Sequence, residues 1–516
     1  MPKTSIETLR TYTAAVVGAG AMGRGIAQIL ALGGHTVRLF DVQADAVQSA
    51  LTSLRKVLDR LVEKGKLDQA QAEQALARII PAASLDDLAD VELVVEAVIE
   101  KLDIKQSLFK SLEAVVSAEA ILATNTSSLS VTAIASQCKH PGRVAGYHFF
   151  NPVPLMKVVE VIGGARTVPA VVESLCDLAT QVGHRAVVAD DSPGFIVNHA
   201  GRGFGTESLK LLGEGVADIA TIDNILREQV VFNGAGFKLG PFELMDLTGL
   251  DVSHPVMESI FSQFYQEPRF RPSTVAAQRY AAGLFGRKTH EGFYRYADGK
   301  KVAAAEPVQV PQSNGPVKVW IAPGDGQSSL AATCESLGAS IDEGAEPAPD
   351  SLILLAPLGH DAAWSAQGYD ATRCIAIDTL FPFEYQSCKH RVLMKTAATT
   401  DDAAHTMQAL FARDGARVSV LRDSAGFVAQ RVVAMIVAIA CEIAQQRIAS
   451  VADIDDAVRI GLGYPMGPIS MGDALGAERV NTLLANLYET TGDPRYRPSP
   501  WIQRRAQLGL PLTTQD

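Results

Sequence analysis

One histidine and one glutamate stand in a stretch whose pattern could place them side by side. In residues 143–162, His148 lies near the end of a first apolar run and Glu160 lies inside a second. Two proline steps between the runs favour a turn, because a residue before proline is pushed out of the α region. If the second run folds back beside the first, the carboxylate can orient the imidazole as a general base. Either residue alone could instead be structural, as a satisfied buried histidine or a strand-edge glutamate.

Composition indicates an ordinary globular protein with several domains. The chain has 516 residues, of which 47% are hydrophobic and 20% charged, and a net charge of −11. This acidic balance argues against nucleic acid and against an anionic membrane as the main partner. The six cysteines show no CxxC spacing, so neither a metal site nor a disulfide framework is expected. No charged-then-apolar leader and no apolar run near ~20 residues is visible, which predicts a cytoplasmic protein.

A glycine-rich turn near the start has the context of a dinucleotide site. A predicted strand at 13–17 is followed by Gly18-Ala19-Gly20-Ala21-Met22-Gly23, then by helical spacing, and a second predicted strand ends at Asp41. Glycines let the backbone approach a pyrophosphate, and the helix N-terminus supplies free N–H groups. Asp41 would accept hydrogen bonds from the ribose hydroxyls. Because no Arg or Lys follows it directly, NAD is favoured over NADP. The alternative is a glycine turn without a ligand.

Polar residues follow two further predicted strands, at 93–97 and 121–123. Glu100 and Lys105 follow the first, and the run Thr124-Asn125-Thr126-Ser127-Ser128 follows the second. Open α/β sheets bind ligands at the carboxyl ends of their strands, so these residues are candidates for a site. Short polar residues are also ordinary helix-capping residues.

A long helical pattern between residues 45 and 78 is rich in basic residues. They are Arg55, Lys56, Arg60, Lys64 and Lys66. In an acidic protein this cluster is either a solvated helix face or a surface that receives the phosphates of a CoA ester.

Three short sequences of the first half recur in the second half. They are DSPGF at 191–195 and DSAGF at 423–427, GFKLGP at 236–241 and GYPMGP at 463–468, and PRFRPS at 268–273 and PRYRPS at 494–499. A helical domain is therefore expected twice. The first DSPGF segment is expected to cap the helix that carries Asn198.

The stretch ahead of the second copy keeps strand-like runs but not the candidate chemistry. The turn after its first strand is Pro323-Gly324-Asp325-Gly326, without the three spaced glycines. Leu-Met-Lys at 393–395 matches the same letters at 155–157, which would put Ala398 where Glu160 stands. Gln430 stands where Asn198 would be. We expect a degenerate, non-catalytic copy.

The predicted architecture is an α/β Rossmann-type NAD-binding domain followed by an all-α domain, then a degenerate Rossmann-like domain and a second all-α domain. The predicted limits are 1–190, with a helical CoA-contacting insertion near 45–78, then 191–297, a linker at 298–316, 317–421 and 422–516.

These motifs resemble the 3-hydroxyacyl-CoA dehydrogenase family in its long bacterial form, which has a duplicated C-terminal domain. The resemblance is carried by GAGAMG, VVEAVIE, TNTSSLS, GYHFFNPVPLMKVVEV, DSPGFIVN, LGPFELMDLTGLD and GRKTHEGFY within residues 13–296. It implies reversible, NAD-dependent oxidation of a (3S)-3-hydroxyacyl-CoA to a 3-ketoacyl-CoA. The long form implies a 3-hydroxyadipyl or 3-hydroxybutyryl chain, as in phenylacetate catabolism or fatty acid metabolism.

The resemblance also implies roles for individual residues. The implied catalytic residues are His148 as general base, Glu160 as its orienting carboxylate, and Ser127 and Asn198. The implied cofactor-binding positions are Gly18, Gly20, Met22, Gly23, Asp41, Ala97, Glu100, Lys105, Asn125, Ser127 and Asn151. The implied contacts to substrate and CoA are Ser53, Arg60, Ser127 and Asn198, and no metal is implied.

Two other functions stay open at this point. One is a non-catalytic NAD-binding scaffold, against which the presence of His148, Glu160, Ser127 and Asn198 in one half argues. The other is a dehydrogenase of a free hydroxy acid, against which the basic cluster and the His–Glu pair argue. The resemblance implies that short relatives pair through their helical domains. The chain is therefore expected to be a monomer with an internal pseudo-dimer or a homo-oligomer.

Overall fold

The computed structural model describes residues 10–302, 315–324, 326–383 and 389–515. The chain forms two units, of which the first comprises 1–199 and 446–462 and the second 200–445 and 463–516. The first unit therefore includes a segment from the second predicted helical domain. Most of the predicted linker at 298–316 lies outside the described residues, and the five-part division of the chain stays a prediction.

An eight-stranded sheet forms the centre of the first unit. Its strands are β1 Thr13–Val17, β2 Thr36–Phe40, β3 Ile79–Pro81, β4 Leu93–Glu96, β5 Ile121–Thr124, β6 Val144–Phe149, β7 Val158–Gly163 and β8 Arg185–Asp190. The order is β3-β2-β1-β4-β5-β6-β7-β8, and the β6–β7 pair alone is antiparallel among these strands. Strands such as β1 and β4 are buried and mainly apolar because helices cover both faces of a parallel sheet.

Helices of the first half connect and cover these strands, and a helical domain follows. They are α1 Ala21–Leu32, α2 Ala44–Glu63, α3 Gln69–Ala77, α4 Leu102–Val115, α5 Val131–Ala135, α6 Pro169–Gln181, α7 Val197–Ala200, α8 Arg202–Gly213, α9 Ile219–Glu228, α10 Pro241–Thr248, α11 Leu250–Gln263 and α12 Thr274–Ala281. Two small hairpins, β9 Val231–Phe232 with β10 Ala235–Gly236 and β11 Tyr296–Ala297 with β12 Lys300–Lys301, complete the first half.

The second half repeats this plan with a smaller sheet. Its strands are β13 Val317–Ile321, β14 Ala339–Ile341, β15 Leu352–Leu355, β16 Cys374–Ile377, β17 His390–Lys395 and β18 Arg417–Arg422, in the order β14-β13-β15-β16-β17-β18. Its helices are α13 Gln327–Ser336, α14 Ala362–Ser365, α15 Asp401–Phe411, α16 Val428–Gln445, α17 Val451–Gly461, α18 Pro468–Leu475, α19 Ala477–Thr491 and α20 Pro500–Leu508. The predicted order of a Rossmann-type domain, a helical domain and a degenerate second copy of both is confirmed.

The expected match of Ala398 to Glu160 is wrong. β16 and β17 are antiparallel with Ile377 opposite Leu393, as Tyr147 is opposite Val161 in the first sheet. At the following position of each strand pair, Asp378 therefore corresponds to His148 and Val392 corresponds to Glu160. The residues Leu-Met-Lys at 393–395 lie inside β17, whereas those at 155–157 precede β7. The short sequence match therefore aligned the two segments in the wrong register.

The two helical copies pack on each other inside the second unit. Helix α8 of the first copy lies against α16 of the second. A Cβ on Gly203 would be 2.8 Å from the backbone N of Ile436, so only glycine allows this approach. By length and composition α16 could cross a membrane, and it is the one such helix among the described residues. However, 89% of its residues are buried, which is typical of a core helix.

Candidate active site

The antiparallel β6–β7 pair places His148 directly opposite Glu160. His148 Nδ1 lies 2.5 Å from Glu160 Oε2, and both residues are buried. Because a carboxylate only accepts hydrogen bonds, Nδ1 carries the proton and the other ring nitrogen, Nε2, presents its lone pair. In the part of the chain that the structure describes, Nε2 makes no hydrogen bond to protein. An imidazole held in this tautomer can take a proton from a substrate hydroxyl.

The second oxygen of Glu160 is held by the turn before α7. The backbone N–H groups of Ile196 and Val197 donate to Oε1 at 2.9 and 2.8 Å. Phe195, just before them, has a positive φ of 49° and lies beside the imidazole, with ring centroids 6.0 Å apart. Both carboxylate oxygens are therefore fixed, and so is the plane of the imidazole. The two N–H donors are main-chain groups, which residue types alone did not reveal.

The loop after β5 is organised around Glu100. Its Oε1 accepts hydrogen bonds from Thr126 Oγ1 at 2.6 Å and from the Ser127 N–H at 2.8 Å, and its Oε2 lies 3.3 Å from Lys105 Nζ. Burial opposes ionisation of this carboxyl, but Lys105 and these donors outweigh it and hold the pKa of Glu100 below its usual value. Asn198 Nδ2 donates to the Ser127 carbonyl at 3.3 Å. Ser127, Glu100 and Asn198 are thus brought together.

Asn125 joins the same loop to the strand that carries His148. Its Oδ1 accepts the N–H of Phe149 at 2.8 Å, and its own N–H donates to the Glu96 carbonyl. The tips of β4, β5 and β6 are therefore linked at the carboxyl edge of the sheet, where ligands of open α/β sheets bind.

Lys105 lies deeper than its predicted cofactor-binding role suggests. Its Nζ is 2.6 Å from Glu96 Oε1, and both side chains are about 1% exposed or less. Thr124 Oγ1 donates to the other Glu96 oxygen at 2.7 Å. Lys105 therefore links Glu96 to Glu100 from inside the protein. Glu96 was missed by the sequence reasoning, although a glutamate at the end of an apolar strand was a visible signal.

The glycines of the first βα turn serve different purposes. Gly18 has a φ of 108°, and a Cβ there would be 2.5 Å from the Ala97 carbonyl oxygen. A Cβ on Gly23 would be 1.8 Å from the carbonyl oxygen of Gly18, so both glycines are required by the fold. A Cβ on Gly20 would meet nothing within 4 Å. Gly20 therefore keeps open a space that the protein does not use itself.

The residues around Gly20 fit the phosphates and ribose of NAD. Gly20 is the N-cap of α1, which has no side-chain cap and no acidic residue in its first turn, so its N–H groups can bind an anion. Asp41 Oδ2 accepts the N–H of Ala19 at 2.8 Å and Oδ1 that of Gln43 at 2.9 Å. This brings the carboxylate beside the turn. Met22 is half-buried and packs on the core.

The remaining predicted contacts lie away from these hydrogen bonds. Asn151 is exposed in the turn after β6 and precedes a cis peptide bond to Pro152. Ser53 and Arg60 lie two turns apart on one face of α2, with Arg60 exposed and Ser53 partly buried. No hydrogen bond among the described residues joins Ser53 or Arg60 to the His148 group. Within those residues no group of three or more His, Cys, Asp or Glu could hold a metal ion.

Asp191 has a different role from the expected cap of its own helix. Its carboxylate accepts the N–H groups of Val131 and Thr132 at 3.0 and 2.7 Å, together with the Ser130 hydroxyl at 2.6 Å. It therefore caps α5. Asp423 does the same for α14 by accepting from Ala362 at 2.8 Å. The Asp of each repeated DS-x-GF sequence thus caps a helix from a distant segment of the chain, which the sequence pattern did not show.

Comparison with known proteins identifies the family. The model of the 3-hydroxyacyl-CoA dehydrogenase NAD-binding domain matches residues 13–192. The model of the C-terminal domain of the same family matches twice, at 194–296 and 426–514. The second match confirms the duplicated helical domain that the three repeated sequences predicted.

Similar proteins cover nearly all of the chain or about half of it. The 3-hydroxyadipyl-CoA dehydrogenase of Escherichia coli is 37% identical over 97% of this chain and 98% of its own. The 3-hydroxybutyryl-CoA dehydrogenase of Bradyrhizobium diazoefficiens is 39% identical over 56% of this chain and 96% of its own. The crystal structure of 3-hydroxybutyryl-CoA dehydrogenase from Escherichia coli matches 97% of this chain and 99% of that chain, with 36% identity and a TM-score of 0.83. The chain therefore belongs to the 3-hydroxyacyl-CoA dehydrogenase family and is an NAD-dependent oxidoreductase.

Proposed function

We propose that His148 is the general base in the oxidation of a (3S)-3-hydroxyacyl-CoA. The observation that carries this proposal is the 2.5 Å contact between His148 Nδ1 and Glu160, which leaves Nε2 with a lone pair. Nε2 takes the hydroxyl proton, and Glu160 stabilises the imidazolium as it forms. Bound NAD supplies the acceptor for the hydride that leaves C3. The products are a 3-ketoacyl-CoA, NADH and a proton carried by His148.

Other side chains of the first unit have supporting roles in the proposal. Ser127 and Asn198, which are linked to each other, contact the oxygens of the reacting group. Glu100 with Lys105 and Asn125 keeps the Ser127 loop in place, and Asp41 binds the adenosine ribose. Ser53 and Arg60 on α2 contact the CoA moiety, which the exposed guanidinium suits. The reaction belongs to the cytoplasm, as the bacterial relatives suggest.

The acyl chain is of the 3-hydroxyadipyl or 3-hydroxybutyryl kind. Relatives with these names support both chains, because a 3-hydroxyadipyl-CoA dehydrogenase and a structure titled 3-hydroxybutyryl-CoA dehydrogenase each span almost the whole chain. We place the chain in phenylacetate-type catabolism, as the resemblance of its long form implies, or in short-chain fatty acid metabolism.

The test is the formation of NADH, measured by absorbance, with purified full-length protein. We expect turnover of (3S)-3-hydroxybutyryl-CoA and (3S)-3-hydroxyadipyl-CoA with NAD, and little with the (3R) esters, with free 3-hydroxybutyrate or with NADP. The ratio of kcat/KM values for the two esters assigns the chain length. Absence of NADH with every CoA ester would overturn the proposal in favour of a scaffold, and turnover of the free acid would favour a hydroxy acid dehydrogenase.

We further propose that the protein is a monomer in solution. Helix α8 packs closely against α16. The resemblance implies that short relatives pair through their helical domains, and this packing takes the place of that pairing within one chain. Light scattering should give a mass near 54.9 kDa. A mass of twice that value would indicate a homo-dimer instead.

A further inference from the structure

The second helical copy contributes one helix, α17, to the first unit. α17 lies against β7 and β8. Arg185, the first residue of β8, donates to Asp453 at 2.8 Å and to Asp456 at 3.0 Å, both on α17. At the other end of β8, the N–H of Asp190 donates to the carbonyl of Ile448 at 2.8 Å. The segment 446–462 is therefore fixed along the whole length of β8.

The C-terminal end of α17 contacts residues that hold Glu160. A Cβ on Gly461 would be 3.2 Å from Val197 Cγ2 and 3.5 Å from Val158 Cγ1. Val197 donates its N–H to Glu160 Oε1, and Val158 begins the strand that carries Glu160. Gly461 is thus linked to the carboxylate through Val197. Its φ lies outside the positive region, so a larger residue would add bulk without backbone strain.

The second unit has the same arrangement with the copies exchanged. There α9, from the first helical copy, lies against β17. Glu228 on α9 is 3.0 Å from Arg417 Nη1, and Arg417 is the first residue of β18, as Arg185 is of β8. Each sheet is therefore covered by a helix from the other copy. The first sheet needs the second half for this helix, whether or not that half binds a substrate.

We infer that α17 positions the catalytic pair, with Gly461 as the positioning residue that leaves Val197 free to donate its N–H to Glu160. The degenerate half then serves the chemistry of the first half. The inference rests on the proposed roles of His148 and Glu160. Gly461 and Arg185 act through Val197 and β7, not by contact with substrate.

The first experiment compares Gly461→Val with Ala452→Val in the full-length protein. Ala452 is exposed on the same helix, so the control adds similar bulk without packing. We expect Gly461→Val to lower kcat by about tenfold or more, because small displacements of catalytic groups have large effects on rate. The KM for NAD should change less than about twofold, because the glycine turn follows β1, whereas α17 packs on β7 and β8. The pH–rate profile reports the essential base and should therefore change. Ala452→Val should resemble wild type.

The second experiment is rescue by Val197→Ala in the Gly461→Val protein. The smaller side chain makes room for the new one, so kcat should recover most of its loss, which would show that the loss arises at the contact between residues 461 and 197. Wild-type kcat in Gly461→Val, equal losses in Ala452→Val, or no recovery in the double variant would overturn the inference. Absence of activity in the wild-type protein would instead overturn the proposed function.

A further variant covers the case in which Gly461→Val does not fold. Arg185→Gln removes both ionic ties to α17, and Arg459→Gln removes only a pair within α17, with Asp456. Arg185→Gln should lower kcat with KM for NAD unchanged, while Arg459→Gln should not. Equal kcat values for these two variants and wild type would contradict the inference.

Discussion

At the scale of single residues, Glu160 has three hydrogen bonds with different purposes. The bond to His148 Nδ1 selects the tautomer of the imidazole, and the bonds from Ile196 and Val197 prevent the carboxylate from turning. Burial of a carboxylate with no exposed surface costs free energy, so its presence here points to a function in the site rather than to a need of the fold. In the second sheet Val392 takes its place, so the strand pair folds without it.

Replacement of Glu160 by Gln should lower kcat strongly. The amide keeps the size of the side chain, but it can present its NH2 group to Nδ1 and favour the wrong tautomer, and it cannot stabilise an imidazolium. We expect a loss of about 10²-fold or more, the typical contribution of a general base. NAD binding, measured by fluorescence titration, should be unchanged. Glu92→Gln, at a half-exposed glutamate paired with Arg10, is the matched control. A kcat within threefold of wild type would exclude the proposed role.

The pairing of His148 with Glu160 could be predicted from the sequence because two apolar runs around a proline turn have few ways to pack. The mistaken match of Ala398 shows the limit of such reasoning. Three identical residues do not define the register of a strand, because that register depends on which of its residues face the core. The Glu96–Lys105 contact could not be predicted either, since burial of a charged pair depends on the packing of α4 against the sheet.

At the scale of elements, different glycines of the turn between β1 and α1 serve folding and ligand binding. Gly18 and Gly23 are required by contacts within the protein, while Gly20 borders open space. The sequence predicted three equivalent glycines, because the motif does not reveal which glycine faces a ligand. The contacts that a Cβ would make at each position distinguish the three glycines.

Gly20→Val should therefore abolish NAD binding without unfolding the protein. The backbone at Gly20 has φ −66° and ψ −170°, an extended conformation that valine adopts readily. The free energy of unfolding should change by at most about 1 kcal/mol, the typical effect of an N-cap change. Calorimetric titration should show at least a hundredfold weaker NAD binding. Gly23→Ala is the contrasting variant and should give little folded protein. Normal NAD affinity in Gly20→Val would contradict this assignment of the site.

The N-terminus of α10 should make stability depend on pH. Asp223 accepts the N–H groups of Phe242 and Glu243 and the hydroxyl of Tyr294. Burial, with a smaller contribution from the nearby Glu243, raises the pKa of Asp223 to about 7. Between about pH 4 and 7 the folded chain keeps this proton while the unfolded chain loses it. The contribution of Asp223 to stability is therefore greatest below pH 4 and declines as the pH rises to 7, by on the order of 1 kcal/mol per unit.

The Asp223→Asn variant removes this titration. Urea unfolding at pH 5 and at pH 7.5 should show a smaller difference between the two pH values in the variant than in wild type. Asp218→Asn is a suitable control, because Asp218 is an exposed N-cap of α9 and asparagine caps equally well. An unchanged pH dependence in Asp223→Asn would show that Asp223 is ionised throughout this range.

At the scale of the whole molecule, the second half keeps the antiparallel strand pair of the first but has Asp378 and Val392 at the positions of His148 and Glu160. The presence of a second helical domain follows from sequence repeats. The exchange of α9 and α17 between copies does not, since contacts between distant segments leave no periodic signal. In the second half Asp378 occupies the position of His148 and accepts from Gln430 at 2.9 Å and Gln229 at 3.0 Å. Burial raises its pKa, so it is a structural carboxyl group within the second unit.

The chain should consequently bind one NAD, although it contains two Rossmann-like sheets. In the second sheet the acidic residue after β14 is Asp342, whose oxygens accept from the N–H groups of Gly344 and Ala348 and from the Ser351 hydroxyl. The Ser351 hydroxyl and these N–H donors hold the pKa of Asp342 at about 2. Asp342 Oδ2 already accepts two hydrogen bonds, whereas each oxygen of Asp41 accepts one, so Asp342 has less capacity to bind a ribose.

Isothermal titration of the full-length protein should therefore give a stoichiometry of one NAD per chain. The same titration of Gly20→Val should give none, because that variant lacks the first site and the second unit offers no replacement. Asp342→Ala provides the matched test in the other half and should leave the stoichiometry at one. A value near two in wild type, falling to one in either variant, would show that the second sheet has kept a nucleotide site without the spaced glycines, and the degenerate half would then have a ligand of its own.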